Sequence, residues 1–254
     1  GQIEGFAEKY GMEYRKAYWD EQPDTHLIQR HEREIFPLLH RRHLFAGVDN
    51  FLLFDFFTGE GYVNEDVFAY SNGHGDNRGL VAYHNKNGMA AGWIRSSVAY
   101  SVKTGGDGAR ALTQKTLGEG LGINPGNDRF TTFRDHLGNL EFIRESKELC
   151  EKGLYVELGP YQYHVFLDFR QIHDNEQRHY ARLTAYLNGR GVPSVEDALR
   201  EIFLQPIHHA FGALFDRSLL QRLLDTRTAL AENSIETIPQ DLLREVEQKT
   251  LHLL

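Results

Sequence analysis

The run Gly153–Arg170, GLYVELGPYQYHVFLDFR, decides how the rest of the chain is read. It holds two extended segments, Leu154–Leu158 and Tyr161–Arg170, parted by the break Gly159-Pro160. In the second, Tyr161, Tyr163, Val165, Leu167 and Phe169 alternate with Gln162, His164, Phe166, Asp168 and Arg170. A period of two in aromatic and β-branched residues predicts a strand with one apolar face, the tyrosine-bearing one, turned toward a core. Upstream the chain reads as mostly extended, and downstream as almost wholly helical.

Immediately before this run, Arg144–Lys152 is a short charged segment with Leu149 and Cys150 of buried type. Phe130–Arg134 and Leu140–Ile143 predict a hairpin across His136-Leu137-Gly138-Asn139. Gly105–Gly126 is a glycine-rich interruption around a helical run, Ala109–Leu117. Its clusters Gly105–Gly108 and Gly118–Gly122 lack the preceding buried strand and the Lys-Ser/Thr pair of a phosphate loop, and Glu119 would repel phosphate. Further upstream, Gly92–Val98 and Phe51–Phe57 read as strands, and Val67–Ser71 with Leu80–Asn85 flank the turn Asn72–Asn77 as a hairpin. That turn lacks the alternating carboxylates and terminal Glu of a calcium loop. Short strands at regular spacing predict an antiparallel sandwich or half-barrel.

The N-terminal part opens on Gly1–Glu21, where Phe6, Tyr10, Tyr14, Tyr18 and Trp19 stand among Glu4, Glu8, Glu13 and Asp20. Rings beside carboxylates are the make-up of sugar sites; a loop packed under its own tyrosines is the plainer reading. Pro23-Asp24-Thr25 then starts a helix with Asp24 or Thr25 as N-cap, and Pro37 kinks it or restarts it for Leu38–Phe45. His40 and His43 have the spacing of a metal pair, but Arg41 and Arg42 lie between them and no third ligand is apparent, so they read as surface residues.

Beyond Arg170, Asp174 caps a helix to Asn188 with Tyr180, Leu183, Thr184 and Leu187 inward. Ser194 and Asp197 cap another, which Pro206 is expected to break before Ile207–Phe215; Ser218–Leu230 and Pro239–Leu254 add two more. The neighbours His208 and His209 point to different faces, one at the surface and one packed.

A chain of 254 residues with 41% hydrophobic and 25% charged residues has a globular composition. The net charge of −8 and the lack of any Lys/Arg run argue against nucleic acid. A lone Cys150 rules out an internal disulfide, leaves no Cys-built metal site, and suits a reducing, cytoplasmic setting. No apolar run approaches the ~20 residues of a membrane helix. No cofactor motif or metal site stands out. The chain opens at Gly1 and stops on Leu251–Leu254 inside an apolar helical pattern, so both ends read as cut from a longer protein.

The order of motifs carries a resemblance. Gly1-Gln2-Ile3-Glu4-Gly5-Phe6, then Glu8-Lys9-Tyr10-Gly11-Met12-Glu13-Tyr14, resembles the segment after the eighth barrel strand in the alpha-amylase family, glycoside hydrolase family 13. The helix Asp24–Phe45 looks like that family's last barrel helix. Val67–Tyr70 turning into Gly79–Asn85 resembles the central hairpin of its C-terminal β-domain, and Leu158–Leu167 its closing strand. The resemblance implies an α+β architecture in which 1–46 is the tail of a (β/α)8 barrel. Residues 47–172 would be an antiparallel β-sandwich-like domain with an insertion near 105–126, and 173–254 an all-α helical bundle. It also implies retaining chemistry at α-glucosidic bonds, with the catalytic carboxylates upstream and no catalytic residue in this chain. Gln2 and Glu4 would touch the substrate rim, and the partner would be an α-glucan or oligosaccharide bound through the barrel. The alternative is a non-catalytic carbohydrate-binding or interaction module with Tyr161, Tyr163, Trp93 and Tyr100 as platforms, although the alternation around Tyr161 favours burial of those rings.

Overall fold

The computed structural model describes residues 3–6, 22–105, 109–232 and 237–253. Helices α1 (Thr25–Glu34) and α2 (Phe36–His40) come first, joined at Ile35 and followed by a tight turn, Arg42–Leu44. Strands β1 (Leu52–Thr58), β2 (Val67–His74), β3 (Asn77–His84), β4 (Ala90–Ser97), β5 (Tyr100–Lys103) and β6 (Arg110–Thr113) follow. Then come α3 (Leu117–Leu121), β7 (Arg129–Asp135), β8 (Leu140–Glu145), α4 (Ser146–Glu151), β9 (Leu154–Leu158) and β10 (Tyr163–His173). Helices α5 (His179–Leu187), α6 (Val195–Leu214), α7 (Arg217–Ala231) and α8 (Gln240–Leu253) end the chain. It divides into two units, Gly1–Val195 and Glu196–Leu254.

Eight strands form one sheet in the order β8-β7-β10-β3-β2-β1-β4-β9, and β5 with β6 makes a separate ribbon. Every pairing of these strands is antiparallel. The expected tail of a (β/α)8 barrel is therefore not found, because such a barrel needs parallel strands. The described residues ahead of β1 hold α1, α2 and turns, and they cover this sheet instead. His136 Nε2 meets the Glu34 carbonyl at 2.9 Å, Tyr163 Oη donates to Glu34 at 3.0 Å, and Arg41 pairs with Asp168 at 2.9 Å. An amphipathic helix has the same sequence pattern whether it covers a barrel or an antiparallel sheet, so the pattern of 24–45 fits both. The sandwich expectation is corrected as well, since there is one large sheet rather than two facing ones.

Chain connectivity forces that sheet to curl. β9 is an edge strand and β10 lies third from the other edge, five strand spacings away, or about 24 Å in a flat sheet. Only Gly159–Gln162 join them, and the five Cα steps from Leu158 to Tyr163 reach about 18 Å at most. A flat sheet cannot be spanned. The link is pinned beside the end of β3, where Tyr161 N donates to Lys86 O and His84 N to Gln162 O.

The larger core lies within this curl, built from Phe54, Phe56, Leu80, Ile94, Leu117, Phe133, Leu158, Phe166 and their neighbours. A smaller one, Leu44, Val165 and Leu167 with Leu38, Phe45 and Tyr163 packed on it, lies under the N-terminal segment. Strand β10 thus feeds both cores, which corrects the single apolar face expected of it. A bulge between Leu167 and Arg170, with Asp168 at φ +59°, slips the pairing with β7 by one residue. The slip turns Phe169 to the side of Phe166, where it stacks on Phe133 at 5.2 Å. Tyr161, expected on the buried face, sits on the turn at 59% exposure.

Three local expectations change. The helical run Ala109–Leu117 is displaced: Arg110–Thr113 is strand β6, and the helix is the glycine-bearing α3. Thr116 and Glu119 exchange the two hydrogen bonds of a capping box there. Helix α3 packs so tightly on α4 that a Cβ at Gly118 would lie 3.0 Å from Cys150 Cα, so the glycines serve contact rather than looseness. Helix α6 runs unbroken through Pro206. His208 and His209 are both exposed, as are Phe203, Ile207 and Phe211 on the same helix and Phe215 just beyond it. No helix among the described residues is long and apolar enough to cross a membrane.

Candidate functional site

Curling brings the two edges of the sheet toward each other without pairing them. At that seam lies a cleft of about 840 Å³, with walls from both edge strands, β8 and β9, from β4 and β10, and from α5. Its volume falls within the ~300–1,000 Å³ common for small-molecule sites.

The aromatic wall follows from strand register. Trp93 on β4 is paired with Tyr155 on β9, and the rings meet edge to face at 5.4 Å. On β9 the inward residues Leu154, Val156 and Leu158 are buried, so Tyr155 and Glu157 project together on the outward face. Tyr155 Oη donates to Glu157 Oε1 at 3.0 Å, which raises the Tyr155 pKa and keeps the ring in place. Tyr155 is 45% exposed.

Arg144 of β8 supplies a cation to the opposite wall. Its Nη1 donates to the Ile143 carbonyl and its Nη2 to the Gly189 carbonyl, each at 2.8 Å, while its Cζ lies 5.6 Å from the Phe142 ring centroid. Burial pushes its pKa down, partly offset by the charge of Glu148. No carboxylate forms an ion pair with it among the described residues. Two backbone acceptors engage two of its five N–H groups, leaving donors for a ligand.

His164 of β10 lines the same cleft and stacks on Phe166 at 5.4 Å. Its Nδ1 lies 3.0 Å from Asp135 Oδ2. An ionised carboxylate only accepts, so Nδ1 carries a proton in this bond, in which Nε2 takes no part. Burial raises the Asp135 pKa, but the hydrogen bond and charge of His164 and the N–H groups of Gly138 and Leu137 outweigh it, and the net shift is downward. The stability contributed by Asp135 is therefore present above its unfolded value of about 3.9 and lost as pH falls through the lower folded value. Asp135→Asn is expected to cost about 1–3 kcal/mol at pH 7, with the difference from the parent shrinking at pH 3. Urea unfolding at both pH values checks this, and a constant difference would refute the ionic role.

The residues singled out from sequence scatter. Gln2 lies outside the described residues. Glu4 is in the N-terminal turn, its carbonyl accepting from Asp24 N at 2.8 Å, and it is not part of the cleft. Tyr163 is tied to Glu34, Tyr100 packs partly against the larger core, and Tyr161 projects from its turn. Trp93 alone of the named platforms reaches the cleft. His40 ends α2 while His43 lies in the next turn, and no three potential metal ligands cluster among the described residues. Cys150 is half-buried, and burial pushes its thiol pKa up, away from nucleophilic use. Tyr155 and Glu157 could have been found from the alternation in Leu154–Leu158. Arg144 and His164 carry no local signal, because the seam alone brings them to the site. No protein-family model, curated protein or solved structure matches the chain.

Proposed function

We propose that this chain is the C-terminal, non-catalytic part of a glycoside hydrolase of the alpha-amylase family acting on α-glucosidic bonds, with the catalytic carboxylates outside it. The observation that carries the reading is the placement of two of the resembling motifs. The strand that follows Leu158-Gly159-Pro160-Tyr161 runs along the hairpin Val67–His84, with Tyr163–Phe166 registered against Leu80–Tyr83. The resemblance likens the first of these motifs to the closing strand and the second to the central hairpin of that family's C-terminal β-domain. Residues 1–254 are expected to release no sugar from maltoheptaose, whereas the natural full-length protein does. Hydrolysis by residues 1–254 alone, or an inactive full-length protein, overturns the reading.

A second reading, a carbohydrate-binding module, is favoured by the cleft, where aromatic rings stand beside carboxylates at the open seam. Retention on insoluble starch tests it, and passage without retention counts against it.

A further inference from the structure

We propose that the seam cleft binds a short, neutral oligosaccharide, with Tyr155 and Trp93 as the stacking wall and Arg144, Glu157 and His164 as partners for sugar hydroxyls. This rests on the carbohydrate reading above and adds where the sugar lies and which class of sugar fits.

Charge selects the class. The walls carry three carboxylates, Glu145, Glu148 and Glu157, against two guanidinium groups, Arg144 and Arg190. Arg190 already donates to the Leu187 and Tyr186 carbonyls. Glu148 is held by Lys152 at 3.1 Å, so the other two carboxylates balance the two guanidinium groups. The walls thus offer an anionic ligand such as a uronate or a sugar phosphate no net attraction. A neutral polyol meets both acceptors and donors, and each hydroxyl can serve as either.

Shape selects the length. The cleft lies between two sheet edges and is open to solvent, so a chain can enter along it rather than end in a closed pocket. Tyr155 is held by Glu157 in a fixed orientation, so ordering it on binding costs little. The C–H-rich face of a pyranose can stack on that ring while equatorial hydroxyls reach the Glu157 carboxylate, the spare Arg144 donors and His164 Nε2.

Calorimetric titration of residues 1–254 with maltotetraose tests the proposal. Saturable binding is expected, weakened about tenfold or more by Tyr155→Ala, as suits the loss of one stacked ring. Tyr155 is an exposed edge residue, so the variant is expected to keep the parent's circular dichroism. Glu157→Gln provides a second test that keeps the ring, and is expected to weaken binding several-fold. Tyr161→Ala, whose ring lies outside the cleft, is expected to bind as the parent does. Binding that survives both cleft substitutions, or that Tyr161→Ala abolishes, overturns the site while leaving the carbohydrate reading intact. Tighter binding of a tetragalacturonate than of maltotetraose overturns the assignment of a neutral ligand. No binding of maltotetraose overturns the proposal as a whole. The hydrolase reading is decided separately, by the activity of the full-length protein.

Discussion

Gly153→Ala is expected to lower the unfolding free energy by about 3 kcal/mol or more, enough to threaten the folded state of an ordinary domain. Gly153 is the turn residue ahead of β9, at φ +83°. An L-residue there incurs about 1–2 kcal/mol of backbone strain. The added Cβ would also overlap the Ile94 carbonyl oxygen and lie 2.8 Å from Arg95 Cα, both main-chain atoms of the neighbouring strand β4. Main chain inside a paired sheet cannot swing aside as a flexible side chain can, so β9 must shift. The pairing of Ile94 with Leu154 and of Trp93 with Tyr155 would be disturbed first. Gly59→Ala is the matched control: its Cβ would meet nothing within 4 Å, and its stability is expected to stay close to the parent's. Equilibrium urea unfolding of the three proteins decides the matter, and equal midpoints for Gly153→Ala and the parent would refute the argument.

Phe133→Ala is expected to cost about 3–5 kcal/mol, the range for deleting a large buried ring. Phe133 on β7 is 2% exposed and touches three other rings. It stacks on Phe142 at 5.5 Å and on Phe169 at 5.2 Å, and meets Phe166 edge to face at 5.4 Å. Removing it leaves a void bordered by rings that belong to β8 and β10. Because Phe142 and Phe166 also line the cleft, the void should loosen the cleft wall along with the core. Phe133→Leu refills most of the volume and should cost under about 1.5 kcal/mol. A Phe133→Ala protein that melts with the parent would show the aromatic cluster to be energetically idle.

Element by element, what could be read in the sequence was what local chemistry determines. Strand β9 matches Leu154–Leu158 because Gly153 and Gly159-Pro160 bracket it and its apolar residues alternate. Asp24 caps α1 as expected, its Oδ1 accepting from Leu27 N at 3.0 Å, and the helix restarts around Pro37 as α2, which stops at His40 rather than at the expected Phe45. Asp174 caps α5 at a distance, accepting from Tyr180 N and Ala181 N across a loop. Local chemistry could not place β10 between β3 and β7, because side-chain alternation says nothing about which strands become neighbours. Nor could it foresee the bulge at Asp168, since the apolar run Val165-Phe166-Leu167 ahead of it does not mark where the strand changes phase in space. The cleft suffered most from this. Its walls come from residues as far apart in sequence as Trp93 and Asn188, and only the curl gathers them.

The position of β10 also dictates an order of events during synthesis. Until residues 163–173 emerge, β3-β2-β1-β4-β9 and β7-β8 are separate pieces, each with an unsatisfied inner edge. One of those edges is β3, which carries Leu80 and Ala82 of the larger core. The strand that joins them is the last to be made, so the nascent chain holds two open templates for pairing with other chains throughout that interval. Its long-range pairings are also slow to form, because distant segments must meet before any contact rewards them. A ribosome-bound chain stopped at Gln162 would be the most aggregation-prone species on the pathway, and release of a few more residues would end that exposure by stitching the two halves into one sheet.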